Sequence, residues 1–308
     1  MKHSRGWYTG GVEIVAAMLV TLPSYGLTIN GYNANRHERF DGGSPGASVN
    51  TNWFAEEYDW SGVGWDQSDP RQSLTLISPR HFICANHWRP SGTVQFRDRN
   101  GVVNNYTIDH FDTTTTSGTW GTDTSDLVVG TLSTATSDTN YYPLLWPTIT
   151  GTEVVGSWYV GRELIVYGQN GRAGRNIIDN FGIARESGEN NRTYAYLYDY
   201  DTANGFDPDE AGAVEFDSGS PGMMVWNDGL TVLGTHFLVS GSPPDVYDTI
   251  DTLAIPYLGQ LDSIMTEEGY NLSVIPIIIP EPGTLIVTGF AALLFLWRRQ
   301  QPGVCRPA

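Results

Sequence analysis

The sequence predicts an all-β protein, and three observations carry that prediction. Glycine is frequent (35 of 308 residues) and aromatics reach 12%. Valine and threonine recur in short runs, as suits a pleated, half-buried surface. Helical spacing is scarce: only 254–268 shows it, with Ile255, Leu258, Leu261 and Ile264 on one face.

The elements follow in order. Residues 1–11 carry Lys2 and Arg5, residues 12–23 are mostly apolar, and Ser24-Tyr25-Gly26 ends in small residues. Residues 1–26 therefore read as a secretory signal helix. SLTLISPRHFICANH is β-rich and ends at His87. GTVQFRD and VVNNYTIDHF alternate around Arg99-Asn100-Gly101, a hairpin signal. SDLVVGTL is a short buried strand with Asp126 at its head. Between 131 and 150 the periodicity fades, which predicts a crossing between two halves, 27–145 and 146–270. In the second half GSWYVGRELIVYGQNG and RTYAYLYDYD read as strands. MMVWNDGLTVLGTHFLV turns at Asn227-Asp228-Gly229, and 254–268 closes the domain as a helix. Residues 271–308 form a linker and a tail. In the tail Pro280-Glu281-Pro282-Gly283 precedes TLIVTGFAALLFLW and Arg298-Arg299. With 274–279 (VIPIII) extending it, that run approaches the ~20 residues of a transmembrane helix, and the arginines would stay cytoplasmic.

The formal net charge is −17 and Lys2 is the only lysine. Such a surface repels nucleic acid and anionic membranes. Of the two cysteines, Cys84 lies in an apolar run (HFICA) and reads as a buried thiol, while Cys305 lies in the tail. No disulfide framework and no Cys/His metal spacing is visible, so neither metal nor cofactor is expected. Asp207, Asp209 and Glu210 read as a solvated loop, the alternatives being acids that bias the cleft toward basic groups or bind calcium.

The chemistry centres on FDSGSPG, where a Gly/Pro turn holds the Ser218 hydroxyl outward. A serine needs a base and an orienting group. His3 falls in the leader, His37 in a polar loop, His81 before an apolar run, His110 after a strand and His236 in the hairpin beyond Ser218. His87 leaves a buried strand at a defined angle, as a base requires. Asp126 heads an apolar strand and can fix the imidazole tautomer; Asp123, three residues earlier, is its rival.

The order His87, Asp126, Ser218 resembles the chymotrypsin/trypsin family of serine proteases over about residues 50–268. SPRHFICANHW is similar to the family's Ala-Ala-His-Cys segment, SDLVVGTL to its Asp-Ile-Ala-Leu segment, and FDSGSP to Gly-Asp-Ser-Gly-Gly-Pro. The resemblance implies two packed antiparallel six-stranded β-barrels with a C-terminal helix, and an active site between them acting on polypeptide substrates. It implies an oxyanion hole made by the N–H groups of Phe216 and Ser218, with Gly212 and Phe237 binding substrate. The chain also departs from the family. Phe216 replaces a glycine, Trp88 stands for a cysteine, and no acid sits near Gly212 to select basic residues. No Ile-Val-Gly-Gly start is present, so Asp217 needs a partner other than a new amino terminus.

The tail resembles the PEP-CTERM sorting signal of Gram-negative bacteria. That implies export, processing by an exosortase-type enzyme, a membrane helix at least transiently, and association with the cell surface or an exopolysaccharide matrix. The function so predicted is a secreted, surface-sorted serine endopeptidase. The alternative is a catalytically inactive protease-fold protein serving as a surface binding or matrix component.

Overall fold

The structure, a computed structural model, describes residues 14–16, 26–148, 156–186, 189, 191–201, 208–241 and 247–279. The first half contributes β1 (Val63–Asp66), β2 (Ser73–Leu76), β3 (His81–Ala85), β4 (Thr93–Arg97), β5 (Val103–Gly118) and β6 (Gly121–Leu132). Antiparallel hydrogen bonding closes them into a ring in the order β1-β2-β3-β6-β5-β4. Leu74, Leu76, Phe82, Cys84, Val94, Phe96, Val128 and Leu132 form the apolar cluster of this ring, and Cys84 is a buried free thiol. Successive side chains on a strand point to opposite faces. Ile83, Leu127 and Val129 accordingly point away from that cluster, into a core shared with the second half. Strand β3 is therefore buried on both faces, which is why HFICA carries no alternation.

Two details differ from the sequence reading. The β5–β6 ribbon runs on through TTTTSG, where Thr115–Gly118 pair with Gly121–Thr124. Threonine favours strands, but a polar run shows no hydrophobic period and so stayed unread. Gly156–Trp158 is a single 3-10 turn, not the start of a strand.

The second half contributes β7 (Glu163–Tyr167), β8 (Ala173–Ile177), β9 (Asn180–Glu186), β10 (Thr193–Tyr200), β11 (Pro221–Trp226), β12 (Gly229–Ser240) and β13 (Tyr247–Thr252). They pair antiparallel in the order β9-β10-β13-β12-β11-β7-β8. The expected second six-stranded barrel is seen as seven strands, whose outer two, β8 and β9, follow one another directly in the chain. Strands β8 and β9 are one path that changes partner at Ile178-Asp179. On one side Ile178 N–H donates to the Arg162 carbonyl; on the other Asp179 N–H donates to that of Leu197. A strand that leaves one neighbour to join another must bend, and the backbone pairing continues on either side of the bend. The β11–β12 hairpin turns on Asn227 and Asp228, with φ of 49° and 63°, the two-residue turn whose twist suits a hairpin.

The edge strand β9 accepts one more partner. Ile14–Ala16 pairs with it in parallel through Ala184–Glu186. The expected N-terminal signal helix is therefore corrected over these three residues, which are extended. Ile-Val favours strand, and β9 presents an open edge. A second correction concerns the crossing and the tail. Leu144–Thr148, where periodicity fades, pairs in parallel with Val274–Ile278, so 274–279 extends no helix. Each segment holds a proline and lacks alternation alone; the partner supplies the pairing.

Ile255–Tyr257 forms a 3-10 turn leading into α1 (Leu258–Glu267), which buries Leu261 and Met265. The Tyr257 hydroxyl contacts the hydroxyls of Thr116 and Ser125 in the first barrel and of Thr193 in the second, and accepts the Tyr194 N–H. It ties the two sheets together. The remainder of the leader and the tail from Pro280 onward lie outside the described residues. Among the described residues no helix is long and apolar enough to cross a membrane.

Candidate active site

The site begins at the end of β3. The Asn86 N–H donates to the Asp126 carbonyl at 2.6 Å, prolonging the β3–β6 ladder by one residue and setting His87 beside Asp126. One Asp126 carboxylate oxygen, Oδ1, then accepts twice from His87: from the backbone N–H at 3.0 Å and from Nδ1 at 2.8 Å. Nε2 of the same ring lies 2.9 Å from Ser218 Oγ. His87, Asp126 and Ser218, distant in sequence, thus form one hydrogen-bonded relay, with Ser218 supplied by the second half. Asp123 is instead paired with Arg192 at 2.6 Å.

Electrostatics follow from burial. Asp126 is 1% exposed and desolvation raises its pKa, with His87 opposing. Desolvation pulls the His87 pKa down, but the hydrogen bond and charge of Asp126, and the charge of Glu186, win and leave it raised. Asp126 Oδ2 is buried without a hydrogen-bond partner among the described residues.

The turn carrying Ser218 is built by its neighbours. The N–H groups of Asp217, Gly219 and Ser220 donate to the carbonyls of Val214, His236 and Asp217. Among the described residues no hydrogen bond engages the N–H groups of Phe216 and Ser218. Phe216 has φ of +74°, a left-handed backbone that favours glycine. Its ring lies 5.9 Å from that of Trp88, and the Arg71 guanidinium sits 4.4 Å above it. The side chain is thereby packed beside the site.

Asp217 is fully buried. Its carboxylate accepts the Gln169 N–H at 2.8 Å and the Val214 N–H at 2.8 Å. These are the partners that sequence reasoning did not find. They are backbone groups, so no residue type announced them. Gly168 makes the approach possible, since a Cβ there would meet Asp217 Oδ1 at 2.6 Å.

The two residues predicted to bind substrate are placed less openly. Gly212 pairs with Thr28, and a Cβ on it would meet the Tyr247 hydroxyl at 2.5 Å. Phe237 is 2% exposed, with its ring 6.0 Å from that of His87. The supposed solvated loop is also corrected. Asp209 and Glu210 are buried, and Asp209 binds Arg36 and His37; Asp207 lies outside the described residues. His37, expected in a polar loop, ends a four-residue helix and is buried. His81 is interior, its pKa pushed down to about 4 by desolvation, and His110 pairs with Asp109 and Asp112. Among the described residues no His/Cys/Asp/Glu group could hold a metal.

No protein-family model matches the chain, and no curated protein matches it. Among solved structures it is similar to the crystal structure of the murine norovirus NS6 protease, an inactive mutant with a C-terminal extension. The identity is 15% and the TM-score 0.36, over 63% of this chain and 90% of that one.

Proposed function

We propose that this protein is a serine endopeptidase of the chymotrypsin type. One observation carries the reading: the relay Asp126–His87–Ser218, at 2.8 and 2.9 Å, joining the two halves of the fold. An ionised Asp126 accepts Nδ1–H, which leaves the Nε2 lone pair facing Ser218 Oγ. His87 then takes the serine proton as Oγ attacks a peptide carbonyl. The unengaged N–H groups of Phe216 and Ser218 offer donors to the developing oxyanion, each typically contributing about 3 kcal/mol. The imidazolium returns its proton to the leaving amine, and water releases the acyl group from Ser218. The two terminal segments support export and surface sorting. Their test is the mature chain's mass, which should lack the leader and end near Pro280–Pro282.

The second reading, an inactive binding protein of the same fold, is favoured by Phe216 alone, a bulky residue at a glycine backbone. A fluorophosphonate probe separates the two. Labelling of the folded wild type that disappears in Ser218→Ala and falls steeply in His87→Ala supports the enzyme. A folded wild type that takes no label sinks it.

A further inference from the structure

The second half contains another histidine–aspartate pair, which the relay above does not use. His236 on β12 and Asp251 on β13 face each other across the ladder, and both are buried. His236 Nδ1 lies 2.7 Å from Asp251 Oδ1, and Nε2 lies 2.8 Å from the Tyr167 carbonyl oxygen. A carbonyl can only accept, so Nε2 carries a proton, and a second proton lies on the short contact to Asp251. That proton is drawn to the ring by Asp251 and Asp217, which raise the His236 pKa and favour the imidazolium.

Its position matters as much as its charge. The His236 carbonyl accepts the Gly219 N–H at 3.1 Å, and its N–H donates to the Ser220 carbonyl at 2.9 Å. The residues directly after Ser218 are thus held by His236. Tyr167, which receives Nε2, begins a three-residue segment whose last member, Gln169, donates its N–H to Asp217 Oδ1. His236 and Asp217 therefore grip opposite ends of Tyr167–Gly168–Gln169. The N–H groups that bind Asp217 are dipoles. A carboxylate with no exposure calls for an opposite charge nearby: burial raises the Asp217 pKa, and the charge of His236 is the largest influence opposing that rise, ahead of the two N–H groups and Arg172.

We infer that His236 is a positioning residue for the nucleophile turn. Its imidazolium supplies an internal positive charge for Asp217 and so keeps the Phe216 and Ser218 N–H groups aimed at one point, with no new amino terminus. Only the kinetic readout of this inference rests on the reading of Ser218 as a nucleophile.

The groups against the ring are Asp251 from β13, the Tyr167 carbonyl from β7 and Tyr198 from β10; Asp217 in the turn acts on it through its charge, and Tyr196 lies by Asp251. The Tyr198 hydroxyl lies 3.5 Å from Nδ1. Burial disfavours the charged ring, but Asp251 and Asp217 outweigh it and raise its pKa above the ordinary 6.5. The ordering that His236 provides is therefore present at low pH and lost as pH rises through that raised value.

The test uses the full chain from roughly pH 6 to roughly pH 10. Amide hydrogen exchange over residues 214–220, corrected for intrinsic rates, is measured beside the rate of fluorophosphonate labelling. In the wild type, protection and labelling should fall together on the alkaline side, by about tenfold or more. His236→Gln should show that loss already at neutral pH and no further alkaline fall in protection or labelling. On an Asp217→Asn background, His236→Gln should add nothing. Flat protection in the wild type across this range overturns the inference without any variant. Wild-type protection in a folded His236→Gln, or full additivity with Asp217→Asn, overturns it equally. If exchange behaves as expected while the wild type takes no label, the positioning role stands and the nucleophile reading falls.

Discussion

Phe216 offers a direct measurement of what the nucleophile turn costs to hold. Alanine and glycine substitutions there remove the same ring and differ only in the Cβ. Both lose the contact with Trp88, about 1 kcal/mol for an aromatic pair. Both also lose the Arg71 stack, about 0.5–1 kcal/mol at a partly exposed site. Phe216→Ala keeps the backbone at φ +74° and so keeps the left-handed penalty of about 1–2 kcal/mol for a residue with a Cβ. Phe216→Gly escapes that penalty but loses about 0.5–1 kcal/mol to its freer unfolded chain. Phe216→Ala should therefore be about 2 kcal/mol less stable than the wild type, and Phe216→Gly about 1 kcal/mol less. Glycine should melt about 2–4 °C above alanine, given the size of the domain. Urea and thermal unfolding followed by tryptophan fluorescence read the difference. If alanine proves as stable as glycine or more so, the backbone at 216 is not held left-handed and the reasoning fails.

Three further outcomes are expected. His87 must be neutral to accept a proton and its pKa is raised above 6.5, so Ser218 labelling should disappear as pH falls through a value above 6.5; a midpoint below it would contradict the Asp126 contact. The stability from that contact has the opposite sense, being present below the unfolded histidine value and lost as pH rises through the folded one. Asp126→Asn should reduce labelling by about 10⁴-fold by fixing the wrong tautomer, whereas Asp123→Asn, which weakens a largely buried pair with Arg192, should leave labelling unchanged and cost about 1–3 kcal/mol in denaturant. Gly168→Ala drives a Cβ to 2.6 Å from Asp217 Oδ1 and 2.7 Å from Leu27; it should cost about 1–3 kcal/mol and slow labelling, and a neutral effect on both would mean that Asp217 is not confined there.

Legibility followed the range of the interaction. Strand β3, the hairpin at Asn227-Asp228 and the closing helix were readable because apolar period and turn residues are local signals. The β5 extension was hidden by its polar threonines, and the pairing of 144–148 with 274–278 by the long stretch of chain between them. Of the site, His87, Asp126 and Ser218 were recognisable as types in an order. The partners of Asp217 were not, because Gln169 and Val214 act through N–H groups that every residue but proline carries. His236 was visible only as a hairpin residue, since its opposition to Asp251 depends on the β12–β13 register.

By itself the sequence determined an all-β chain, the position of the serine turn and the residue types able to form a relay, because alternation, turns and side-chain chemistry are written residue by residue. Only the tertiary structure decided that Asp126 rather than Asp123 meets His87, that the chain changes partner strand at Ile178-Asp179, and that Phe216 adopts the backbone of a glycine. Each of those depends on which segments lie side by side and on how their ladders register, and no local pattern encodes either.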